Sequence, residues 1–142
     1  MEPLTVPGTI DSLGKVRQYV SDAAAAANLD KKAAYRLKIA VDEIATNVIV
    51  HGYEEAGREG MLELWAKIDE KTLAISIEDT GAVYNPYNRE VDLDLDLPLE
   101  ERQIGGLGVY LTIQSVDKFL YENIGEGRNR HTFVMNRNTP SA

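Results

Sequence analysis

Over the first fifty residues the apolar positions recur every three or four places. Ile10, Leu13, Val16, Val20, Ala24 and Ala27 form one stripe, which predicts an amphipathic helix over residues 10–28 capped by Thr9 or Asp11. Leu37, Val41, Ile44 and Val48 form a second stripe, with Asp30 as its N-cap and Gly52 as its stopping point. Ahead of both, Leu4-Thr5-Val6 reads as a short strand ended by Pro7-Gly8. Beyond Gly52 the period changes to two. Leu62, Leu64, Ala66 and Ile68 alternate with Glu63, Trp65, Lys67 and Asp69, and Leu73, Ile75 and Ile77 alternate with Ala74, Ser76 and Glu78. With Asp69-Glu70-Lys71 as the turn, these predict an antiparallel hairpin. Residues 81–104 carry little regular pattern, which marks either a functional lid or a misread element. A helix near 106–116 follows, then a second hairpin, 118–123 with 130–136, around Gly125-Glu126-Gly127. This order predicts an α+β fold: a two-layer α/β sandwich with a mostly antiparallel sheet and helices on one face, one domain spanning residues 1–142.

Composition narrows the class. Hydrophobic residues make up 44% of the 142, enough for a core, and no run reaches the roughly 18–20 apolar residues of a membrane span. Met1-Glu2-Pro3-Leu4 lacks the basic start and apolar stretch of a secretion signal. The absence of cysteine excludes disulfides and thiolate metal sites and is compatible with a cytoplasmic location. The net charge of −8, with no Lys/Arg cluster, argues against nucleic acid as a partner, and no membrane partner is expected. The negative field favours solubility, or a basic protein partner.

Candidate chemistry sits in three segments. Glu43 and Asn47 lie four apart near the end of the second helix, hence on one face, and their oxygens suit a hard cation such as magnesium. Asp79 continues the parity of Leu73, Ile75 and Ile77, so a carboxylate points toward the helical layer and needs donors. An adenine amine is one such donor, and Gly81 allows close backbone approach to a flat base; the alternative is an ordinary strand-ending turn. Gly105-Gly106-Leu107-Gly108 precedes an apolar helix and reads either as a phosphate cradle or as a hinge.

Together these segments resemble the GHKL ATPase superfamily of histidine kinases, DNA gyrase and a heat-shock chaperone. Glu43-Ile44-Ala45-Thr46-Asn47 is similar to its N box, Asp79-Thr80-Gly81 through Pro86 to its adenine box, and Gly105–Gly108 to its phosphate box. Asp42-Glu43, Thr46-Asn47, His51-Gly52-Tyr53, Asn85-Pro86 and Glu101-Arg102-Gln103 resemble the stand-alone serine kinases that act as bacterial anti-sigma factors. The resemblance implies a histidine-kinase-like ATPase fold, ATP and Mg2+, and a homodimer. It implies a sigma factor and an antagonist of the sulfate-transporter/anti-sigma-antagonist (STAS) fold as partners, one serine of the antagonist being phosphorylated. It also implies residue roles. Glu43 is the general base and Asn47 the magnesium ligand. Asp79 accepts from the adenine amine over Gly81. Gly105, Gly106, Leu107 and Gly108 hold phosphates, and residues 87–104 form the ATP lid. Thr132 helps to hold Asp79 and the base.

Several features stay open. Arg102 reads as a phosphate contact or a solvated lid residue, and His51 as a third metal ligand or a packed or solvated histidine at a helix end. Trp65 marks a dimer surface or packs under the chain's first residues, and the carboxylates of Asp92, Asp94 and Asp96 suggest a metal or mere repulsion. Val83 stands where many relatives carry a second glycine. The rival functions are a non-catalytic nucleotide-sensing module and a detached ATP domain serving a histidine kinase in trans.

Overall fold

The computed structural model describes residues 1–83 and 114–137. Five strands, β1 (Leu4–Pro7), β2 (Met61–Ile68), β3 (Thr72–Asp79), β4 (Lys118–Gly125) and β5 (Arg128–Asn136), form one sheet in the order β1-β2-β3-β5-β4, every pair antiparallel. Two helices, α1 (Leu13–Ala26) and α2 (Lys31–Asn47), supply the second layer. The expected two-layer α+β sandwich is the observed one.

Alternation decides which sheet face the helices cover. Leu62 and Leu64 of β2, Leu73, Ile75 and Ile77 of β3, and Phe133 and Met135 of β5 are buried in one cluster with Val16 and Val20 of α1 and Leu37, Val41 and Ile44 of α2. The even-numbered residues Ser76 of β3 and Thr132 of β5 are paired on the opposite face and only half-buried. Each fully buried Leu, Ile or Phe contributes about 1.5–3 kcal/mol. A core of this size can therefore carry the few kcal/mol cost of an imperfectly satisfied polar group.

Both helices depart from the expected bounds. The first begins as a tight 3-10 turn at Ile10–Ser12, where Ile10 remains 48% exposed and the Thr9 side chain makes no capping bond, so the buried stripe starts at Leu13. Asp30 does cap α2, accepting from the Ala33 N–H at 2.7 Å. Gly52 does not stop that helix. The chain continues through a π-helical stretch, Val48–Glu54, and the bonds from Glu55 N–H to Val50 O and from Arg58 N–H to Tyr53 O (both 2.8 Å) span five residues. The wider turn buries Val48, Ile49, Gly52 and Tyr53 together. The predicted helix near 106–116 falls outside the described residues apart from its last turn, and so does the lid.

Candidate functional site

The end of α2 and the end of β3 meet through two glycines. A Cβ on Gly81 would lie 2.9 Å from the carbonyl carbon and oxygen of Gly52, and the Ala82 N–H donates to that oxygen at 2.8 Å. In sequence terms Gly81 gave room for a base; in the fold, the space in front of its Cα is filled by the helix end. Gly81→Ala is therefore expected to force backbone apart. A stability loss of about 1–3 kcal/mol in urea unfolding is the expected result, and an unchanged midpoint would count against the contact.

Asp79 lies on the buried face, as its parity predicts, and is 3% exposed. Its Oδ1 accepts the Gly81 N–H at 2.9 Å and the Asn129 Nδ2–H at 3.1 Å. Its Oδ2 is buried and has no hydrogen-bond partner among the described residues. Burial pushes the Asp79 carboxyl above the usual range, and the Asn129 and Gly81 donors pull it back in part. A carboxylate oxygen buried with nothing to accept is costly. A ligand N–H delivered to Oδ2 would remove that cost, which is what an amino-purine offers.

Asn129 escaped the sequence reading. It sits opposite Asp79 in the β3–β5 register and is 1% exposed. Besides Asp79, its Nδ2 donates to Gly81 O at 3.2 Å, and its Oδ1 accepts from the Tyr121 hydroxyl at 3.0 Å. Thr132 does not reach this place. Its hydroxyl lies 3.2 Å from that of Ser76 on the other sheet face, because residues of even number on β5 point away from the helices. The holding of Asp79 that was expected of Thr132 is done by Asn129. The signal was present: Phe133 and Met135 are the large apolar residues of β5, so odd positions face inward. Tyr53 was also missed as a support. Its hydroxyl donates to Met61 O at 2.7 Å and accepts the Thr80 N–H at 2.8 Å, pinning the turn between Asp79 and Gly81.

On α2, the Asn47 Nδ2–H donates to Glu43 O at 2.7 Å, where the helix widens. That bond uses the amide nitrogen and leaves the amide oxygen, the atom a hard cation needs. Glu43 is half-buried, and burial first and the Asp42 charge second raise its pKa. Asp42 is itself bridged to Arg17 of α1 at 2.7 Å. A groove of about 360 Å3 lined by Arg17, Tyr35, Lys38, Ile39, Asp42 and Glu43 leaves the carboxylate approachable. A larger groove, about 700 Å3, runs past Gly8, Ile10, Arg58 and Met61 and holds none of the predicted site residues.

The partly exposed His51 pairs with Glu55 at 2.6 Å, which favours the reading as a histidine at a helix end over that as a metal ligand. Among the described residues no group of three or more His, Cys, Asp or Glu side chains could hold a metal. A magnesium ion here would draw on Asn47 and on ligand phosphates, the donor set this cation commonly uses with nucleotides. Gly105, Gly106, Leu107 and Gly108, the lid at 87–104, Arg102 and the Asp92–Asp96 carboxylates lie outside the described residues. No helix among the described residues is long and apolar enough to cross a membrane.

A profile of the histidine kinase-like ATPase domain matches residues 6–135. The serine-protein kinase RsbW of Halalkalibacterium halodurans is 30% identical over 118 residues, covering 81% of this chain and 71% of its own. RsbW of a bovine strain of Staphylococcus aureus is 27% identical over 124 residues, with coverage of 81% and 74%. In fold, the chain is similar to the histidine kinase domain of a blue-light-activated kinase from Erythrobacter litoralis, with TM-score 0.52 and 15% identity over 87% of this chain and 58% of that one. It is similar also to the Acinetobacter baumannii histidine kinase AdeS, with TM-score 0.50 and 18% identity over 98% and 70%. The chain belongs to the histidine kinase-like ATPase family and, within it, to the branch of the RsbW serine-protein kinases.

Proposed function

We propose that this chain is an ATP-dependent protein-serine kinase that also restrains a sigma factor, and that its substrate is a STAS-domain antagonist. The observation that carries the nucleotide half is the buried Oδ2 of Asp79, without a partner among the described residues and tied through Gly81 and Gly52 to the helix that presents Asn47 and Glu43. The name of the relatives, serine-protein kinase, supports the choice of acceptor.

Each residue has a task its geometry suits. Asp79 accepts the exocyclic amine of the base and so orients the nucleotide. Asn47, held by the Glu43 carbonyl, offers its amide oxygen to Mg2+. When bound, the magnesium nucleotide supplies a γ-phosphoryl group whose charge the metal partly neutralises. Glu43 takes the proton from the attacking serine hydroxyl, for which a half-buried carboxylate with a raised pKa is the better base. Gly105, Gly106, Leu107 and Gly108 are proposed to hold the phosphates, and 87–104 to close over them. Phosphorylation places about −1.5 to −2 charges in the partner's interface, enough to release it.

The test is transfer of label from γ-32P ATP to STAS-domain proteins encoded in the same genome. Acid-stable phosphoserine is the expected product. Acid-labile phosphohistidine would favour the trans-acting histidine kinase reading, and ATP binding without transfer would favour the sensing module.

A pH prediction follows from the Asp42–Glu43 pair. Glu43 works as base only when ionised, so transfer falls on the acid side as pH drops through its raised pKa. In Asp42→Asn the like charge is gone and the Arg17 cation is left unneutralised nearby; both changes favour ionised Glu43. The acid limb of the kcat/KM profile is expected to move to lower pH. A limb that stays or moves upward would rule out Glu43 as the group observed.

A further inference from the structure

We propose that Asn129, oriented by the Tyr121 hydroxyl, makes this site select a 6-amino over a 6-oxo purine. The inference rests on the reading of Asp79 as acceptor for the base. A carboxylate with two free oxygens can rotate, or take up a proton and become a donor; either would blur the choice between adenine and hypoxanthine. Here Oδ1 is occupied twice, by the Gly81 N–H at 2.9 Å and by Asn129 Nδ2 at 3.1 Å. Oδ2 is buried, has no hydrogen-bond partner among the described residues and, when ionised, can only accept.

Asn129 can do this only in one orientation. Its Nδ2 faces two acceptors, Asp79 Oδ1 and Gly81 O at 3.2 Å, and its Oδ1 faces a hydroxyl donor. Turned over, the amide would set three acceptors, its own Oδ1, Asp79 Oδ1 and Gly81 O, against one another. Tyr121 lies on β4 and its ring packs 5.0 Å from that of His131, so the hydroxyl is held in place by the sheet. The three side chains form a line, Tyr121 to Asn129 to Asp79, in which each donor fixes the next acceptor. Burial raises the pKa of Asp79 and the Asn129 bond opposes that rise, so the bond favours the anion, which a 6-oxo group would oppose.

The experiment measures the affinities of Mg·ATP and of Mg·ITP, whose base carries a 6-oxo group, by titration calorimetry on the full chain. Parent, Asn129→Leu and Tyr121→Phe proteins are compared. Asn129→Leu is expected to weaken ATP about tenfold and leave ITP unchanged or tighter, so that the ratio of affinities collapses. Tyr121→Phe, which keeps its ring and its place in the sheet, is expected to move the ratio the same way by a smaller factor. Equal weakening of both nucleotides, or an unmoved ratio in the two variants, would show that Asn129 is merely structural and overturn the assignment. A parent protein that binds neither nucleotide would overturn the underlying reading and this assignment with it. A parent that binds ATP and ITP alike would overturn the assignment alone.

Discussion

Replacing Glu43 by Gln is expected to slow phosphoryl transfer about 10²- to 10⁴-fold while Mg·ATP affinity is retained. The residue is half-buried and carries a raised pKa, and the groove beside it is lined by residues of both helices, so a partner's hydroxyl can approach. Gln keeps the length and helix propensity of Glu and leaves the main-chain carbonyl that anchors Asn47, so neither α2 nor the proposed magnesium ligand should move. Only the capacity to take a proton is lost. At about 1.4 kcal/mol per tenfold, the expected loss is roughly 3–5 kcal/mol of transition-state stabilisation, several times the worth of one neutral hydrogen bond. Single-turnover label transfer gives the rate and calorimetry gives the affinity. Transfer at the parent rate would remove Glu43 as the base. Loss of affinity equal to the loss of rate would make it a binding residue instead.

The same carboxylate shows what the sequence could and could not reveal. Glu43 and Asn47 were legible because a helix repeats every 3.6 residues, and a spacing of four fixes one face whatever the rest of the chain does. Asp79 was legible because strand parity carries on from Leu73, Ile75 and Ile77. Asn129 needed one more step. Which residue meets Asp79 depends on the β3–β5 register, and β5 inserts between β3 and β4, a pairing of residues some fifty positions apart that no local pattern states. The resemblance supplied a threonine, and the threonine present, Thr132, has the wrong parity. Gly52 was misread for a related reason. A glycine after an apolar stripe signals a helix stop, yet here the helical chain runs on through it, and the backbone carbonyl of Gly52 packs where Gly81 has no side chain. The π-helical stretch that carries Gly52 inward follows directly on Asn47, whose side chain bonds back to the carbonyl of Glu43. Local signals located the candidate groups, and long-range register decided what holds them.

Asp79→Asn is expected to weaken Mg·ATP about 10²-fold or more and to make Mg·ITP the better ligand of the two. The reason lies in what surrounds Oδ1. That position faces two N–H donors, from Gly81 and Asn129, so an asparagine must place its own oxygen there. Its amide nitrogen is then forced into the place of Oδ2, the buried position with no partner among the described residues. A donor would now meet the adenine amine, another donor, and two desolvated N–H groups would be left facing each other. A 6-oxo purine presents an acceptor at the same point and would be matched. Sites built around a single buried hydrogen bond discriminate by 10⁴ or more at the extreme, so a swing of about 10²-fold is a modest demand. The substitution changes one atom's chemistry and almost no volume, so a fold defect cannot mimic the result, since it would weaken both nucleotides together. Calorimetric titration of parent and variant with ATP and ITP decides the matter. A variant that binds ATP as the parent does would mean that Asp79 never touches the base, and the nucleotide site would have to be sought elsewhere on the fold.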